Sequence, residues 1–208
     1  MEYSKEFKQA LSEFSPIEKD RLIFRLLKKD KLLSKKLYFE LIDPETTDDK
    51  RNAMEEIISE RVSEISRYVA NQKYFLVLIR KLSAEITEHV KVTTDKFGDV
   101  YLNLFLVNKI LEHNEKLGRQ RFDAVYKLYI YLINKIIKAL IQIKKLDEDY
   151  WMEFDELLGD IDFQIHEALY LEKLCINNGF DFNWLKCENI PDHFELIVKE
   201  IKSQGFLR

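Results

Sequence analysis

RQRFDAVYKLYIYLINKIIKALIQIKKL, residues 119–146, is the stretch on which the fold of this chain turns. At 100° per residue, Lys127, Tyr131, Asn134, Lys138, Gln142 and Lys145 fall into one narrow polar stripe. Almost everything else from Leu128 to Ile143 is apolar. A helix that is apolar around most of its circumference needs neighbours on several sides, so this segment is predicted to be the central helix of a packed array. It is not read as a membrane span, because Asn134, Lys135, Lys138 and Gln142 interrupt its greasiest part.

Working outward, Gly118 stands where a glycine ends a preceding helix near 99–116. Upstream, Ser15-Pro16-Ile17-Glu18 combines a capping serine, a proline at the first helical position and a glutamate at the third. It opens a helix to about residue 29, with Leu22, Ile23, Leu26 and Leu27 at helical spacing. Further helices are predicted over 3–13, 31–42, 47–70, 72–95, 147–177 and 191–203, with 180–190 irregular. Only 5 Gly and 3 Pro occur in 208 residues, too few for the tight turns of a sheet protein. The expectation is an all-α bundle or irregular helical array of about eight or nine helices, by their apolar periodicity, with no sheet. It forms one domain over 1–208, with a soft division near 116–119.

The same glycine scarcity leaves no G-x-G-x-x-G, G-x-x-x-x-G-K-S/T or G-x-S-x-G, so the usual phosphate loops and the strand-borne serine nucleophile are missing. A net charge of −4 weighs against nucleic-acid binding. The charged start MEYSKEFKQA does not read as an export signal. Two cysteines are too few for a disulfide framework, so both are expected reduced and the chain cytoplasmic.

Chemistry-bearing residues cluster in few places. Residues 147–172 hold ten carboxylates and no Lys or Arg. Asp149, Glu153, Glu156, Asp160 and Glu167 fall within about 60° on the helical wheel. Converging carboxylates suit Mg²⁺ or Mn²⁺, but one helix seldom supplies a whole site. The seven Lys/Arg of 119–145 offer a simpler expectation, a charged face neutralised by an antiparallel neighbour. His166, Cys175, Cys187 and His193 are spaced too widely for the usual structural zinc site, and the two cysteines are read as core or interfacial thiols. His89 lies four residues after Glu85, half of a ligand pair. The tract Arg21, Arg25, Lys28, Lys29, Lys31, Lys35 and Lys36, interrupted by Asp20 and Asp30, is read first as a solvated helix face and second as a site for an anionic partner.

Two partial resemblances accompany these residues. Glu85–Glu88, Glu112–Glu115 and Glu153–Glu156 have ExxE spacing, and Glu45–Asp48 has ExxD spacing. In pieces this resembles the all-α nucleoside triphosphate pyrophosphatases of the dimeric dUTPase and MazG kind, although there the ExxD follows the ExxE. Asn178–Asn183 with His193–Lys199 is similar to the closing turn and second helix of an ankyrin repeat. The spacing from Gly179 to Gly205 is 26 residues and the T-P-L-H opener is missing, so turn chemistry accounts for it.

No catalytic residue, cofactor site or metal site is assigned from the sequence, and no small-molecule ligand can be named. The leading expectation is a non-enzymatic helical interaction or scaffold protein, self-associating as a dimer or binding another protein, with no membrane partner. A metal-dependent nucleotide hydrolase using helix carboxylates stands second, and a binder of anionic partners through 21–36 third.

Overall fold

Eleven α-helices and four short 3-10 turns follow one another, with no strand among the described residues. The computed structural model describes residues 2–207, except the side chains of Asn114, Glu115 and Leu169. The helices are α1 (Lys5–Ser12), α2 (Pro16–Lys29), α3 (Lys31–Leu41), α4 (Thr47–Ile65), α5 (Gln72–Thr93), α6 (Lys96–Leu111), α7 (Asn114–Gly118), α8 (Phe122–Ile143), α9 (Met152–Glu167), α10 (Leu169–Asn177) and α11 (Phe194–Ser203). Local chemistry sets most of the starts. Ser15 and Glu18 form the reciprocal capping box opening α2, and Thr46 with Asp49 does the same for α4. Ser4, Asp30, Asn71 and Asp95 each accept a backbone N–H from the first turn they cap.

The expected central helix is α8, and eleven of its residues are buried, Ile136 and Leu140 among them. It shares the centre with α6, which packs against α4, α5, α8 and α9. Val100, Leu102, Leu104, Leu106, Val107, Ile110 and Leu111 point in several directions from α6, and all are buried. No helix among the described residues is long and apolar enough to cross a membrane.

Several boundaries differ from expectation, the helix expected over 99–116 becoming α6 and α7 with Gly118 inside α7. The helix expected over 72–95 stops at Thr93, because Thr94 takes a left-handed conformation (φ 55°) and Asp95 then caps α6. The helix expected over 147–177 breaks at Ala168, whose ψ of 83° is outside the helical range. The acidic segment does not fold back along α8 as the antiparallel neighbour that the sequence predicts. Instead Trp151 donates its indole N–H to the Ile143 carbonyl (3.2 Å), and the Lys144 ammonium lies 4.3 Å from the centre of the Trp151 ring. The chain leaves that corner so that α9 packs chiefly on α6 and α10.

Candidate functional site

The N-terminal helices form an arm of unusual exposure. α3 packs on α5 and α2 packs on α3, yet none of α1, α2 and α3 has a buried residue. Leu22, Leu27, Leu32 and Leu37 are half-buried, which suffices to seat the arm. Ile23 and Leu26, which the sequence pattern places on a core face, are exposed. Beyond that seam, Phe7, Ile17, Phe24, Tyr38, Leu41 and Ile42 are open to solvent, Ile17 at 64% and Phe24 at 63%. Single exposed apolar side chains are ordinary, but a run spread over three successive helices is not.

The basic tract lies on this arm. Lys35 pairs with Glu88 of α5, and Lys36 with Glu40. Arg21, Arg25, Lys28, Lys29 and Lys31 take part in none of the ion pairs among the described residues. On the wheel of α2, Ile17, Arg21, Phe24, Arg25 and Lys28 share an arc of about 100°, so two apolar side chains border the cationic face.

The acidic stripe is exposed along its whole length: Asp149, Glu153, Glu156, Asp160 and Glu167 all face solvent. Among the described ion pairs, none joins a basic residue of 121–145 to this stripe. Lys144 pairs with Asp192 (2.9 Å), Lys145 with Glu195 (3.5 Å) and Arg121 with Asp123 (3.2 Å), because the polar stripe of α8 turns toward α6 and α11. Lys135 reaches the Asn103 side chain between α8 and α6, where burial and the nearby Lys138 push its ammonium down to about 8. Two apolar side chains border the stripe along one edge on α9, Met152 at 83% exposed and Phe163 at 66%.

A second feature surrounds the α5–α6 corner. Asp95 is buried, accepts the Gly98 N–H (2.8 Å) and accepts the Nε–H of Arg51 from α4 (2.8 Å). Arg51 also meets Asp48 (3.1 Å) and lies 4.5 Å from the centre of the Phe97 ring. Phe97 in turn contacts Phe154 of α9 (4.8 Å between ring centres), so one carboxylate ties α4, α6 and α9 together. The approach is too close for any side chain at residue 98: a Cβ there would lie 2.2 Å from the Asp95 Oδ2. A cleft of about 600 Å³ opens over this pair, lined by Asp48, Arg51, Thr94, Tyr150 and Glu153 among others. Across Thr93 lies another of about 660 Å³, lined by Lys35, Tyr38, Lys50, Glu85, Glu88 and His89. Burial lowers the His89 pKa, and its Nε2 has no hydrogen-bond partner. Nothing in the sequence had marked Arg51 or Asp95; the available signal was Asp95 three residues before Gly98, a cap followed by the one residue that tolerates it.

Of the sequence candidates, Asp48 and Glu153 share one of these clefts and Glu85, Glu88 and His89 the other. Among the described residues, no three His, Cys, Asp or Glu gather closely enough to hold a metal ion. Glu85 and Glu88 are on α5, Glu153 and Glu156 on α9, and Glu45 and Asp48 at the start of α4. The Glu115 half of the third ExxE lies outside the described side chains. Cys175 and Cys187 are free and buried, and burial pushes both thiols up to about 12, helped by Glu172 and by Asp155 respectively. His166 meets the Asp162 carboxylate (3.3 Å) and the Phe182 ring, and His193 precedes α11. At 178–183, Gly179 takes the left-handed position (φ 73°) that closes α10, and Asp181 accepts the Asn183 N–H (2.9 Å).

No family model matches this chain, and neither the curated proteins nor the solved structures include one similar to it.

Proposed function

We propose that this chain is a non-enzymatic helical interaction protein, self-associating in the cytoplasm, whose N-terminal arm (residues 4–42) is its docking element. One observation carries the reading: three successive helices contain no buried side chain while presenting Phe7, Ile17, Phe24, Tyr38 and Leu41 to solvent. Helices of 8, 14 and 11 residues are marginal on their own in water. A surface that covers their apolar side supplies what the rest of the chain does not. Two free thiols suit a reducing compartment. Glu88, one of the carboxylates that would serve a hydrolase, is already engaged by Lys35.

A photo-crosslinking amino acid placed at Phe24 tests this in the cell of origin. Adducts heavier than the chain are expected from that position and not from Lys81, an exposed residue of α5. Equal labelling at both positions, or none at either, would remove the arm from the role.

A further inference from the structure

We propose that the arm's partner is a second copy of this chain, α2 of each copy docking on α9 of the other across a twofold axis. This rests on the arm being the docking element, and it names what the arm binds. The two faces are of opposite sign and the same build. Arg21, Arg25 and Lys28 on α2 lie along one side of Ile17 and Phe24; Glu153, Glu156 and Asp160 on α9 lie along one side of Met152 and Phe163. None of these six charged residues takes part in an ion pair among the described residues. All four apolar side chains are more than half exposed, so neither face is covered within its own chain. At 1.5 Å per residue the helices run about 21 and 24 Å, so one can lie along most of the other.

Charge complementarity within one sequence selects the occupant. A chain that carries both halves on separate surfaces satisfies them by reciprocal exchange, the isologous arrangement in which each contact occurs twice. Each copy then brings a cationic and an anionic face, and four helix faces are covered together. Exposed pairs contribute little singly, about 0–1 kcal/mol each. The apolar side chains beside them are what such an interface buries at its centre. Because the charges stay near solvent, the association weakens as salt shortens the screening length from about 10 Å at 0.1 M to about 3 Å at 1 M.

The test is sedimentation of the full chain and two variants, one carrying Arg21→Glu, Arg25→Glu and Lys28→Glu, the other Glu153→Lys, Glu156→Lys and Asp160→Lys. Wild type is expected to be a dimer at tens of micromolar (roughly the range where a micromolar dimer persists). Each variant alone opposes like charges in both contacts and is expected to dissociate about 100-fold more readily, equivalent to about 2.7 kcal/mol. Mixed one to one, they restore opposite charges in both contacts and are expected to form a heterodimer. A monomeric wild type, a variant that still dimerises alone, or a mixture that stays monomeric would overturn the proposal. If either charge variant loses its helical circular dichroism, Phe24→Ser and Phe163→Ser take its place, and each must weaken the dimer. The two failures are separable. Adducts from position 24 to some other protein, with a monomeric wild type, would end self-docking and leave the arm's role intact; no adduct would end both.

Discussion

Replacing Asp95 with alanine is expected to cost about 3–5 kcal/mol of unfolding free energy, as breaking one side of a buried ion pair does. Its carboxylate is buried and accepts both the Arg51 Nε–H and the Gly98 N–H. Arg51 is mostly buried as well, so the substitution strands a guanidinium that Asp48 alone reaches from an exposed position. It also removes the cap of α6, a loss of about 1 kcal/mol by itself. Asp95→Asn keeps the cap acceptor and loses the charge, so it is expected to fall between. Asp48→Ala is expected to cost under about 1 kcal/mol, since that partner is exposed. Urea unfolding with unchanged slope measures all three. An Asp95→Ala variant no weaker than Asp48→Ala would show that the α5–α6 corner holds without its ion pair.

Replacing Ile136 or Leu140 with alanine is expected to cost about 2–5 kcal/mol each, through lost burial and the cavity left behind. Both are essentially inaccessible on α8, at 1% and 0% exposure. Lys127→Ala, on the exposed side of the same helix, is expected to change stability by less than about 0.5 kcal/mol. The contrast is the informative part. Equal small losses at all three positions would mean that α8 tolerates repacking as a peripheral helix does.

The segment 119–146 disclosed its place because a helix with one narrow polar stripe has few ways to be packed. Some caps were equally legible: Ser15 with Glu18 and the Gly179 closure are local, and local chemistry is written in neighbouring residues, whereas Gly118 lies inside α7. Two kinds of information were not there. The partner of a helix is set by the corner before it, and the turn of Trp151 under Ile143 sends the acidic helix to α6 and α10 instead of back to α8. Burial of an amphipathic face also depends on what reaches it. Leu22, Ile23, Leu26 and Leu27 repeat as a core face does, yet within one chain they are only half covered or open. The Arg51–Asp95 pair joins residues 44 positions apart, and no spacing rule could have linked them.

Docking of the arm is tested most directly by amide hydrogen exchange on the full chain at two protein concentrations. With no buried side chain, α1 and α2 open locally at small cost, and their amides exchange quickly in a dilute sample. Raising the concentration from about 0.5 to 50 µM, across the range where a micromolar dimer forms, is expected to slow exchange over 19–29 of α2 and 156–167 of α9. Exchange over α5 should stay as it was. Identical rates at both concentrations throughout α2 and α9 would contradict docking between copies.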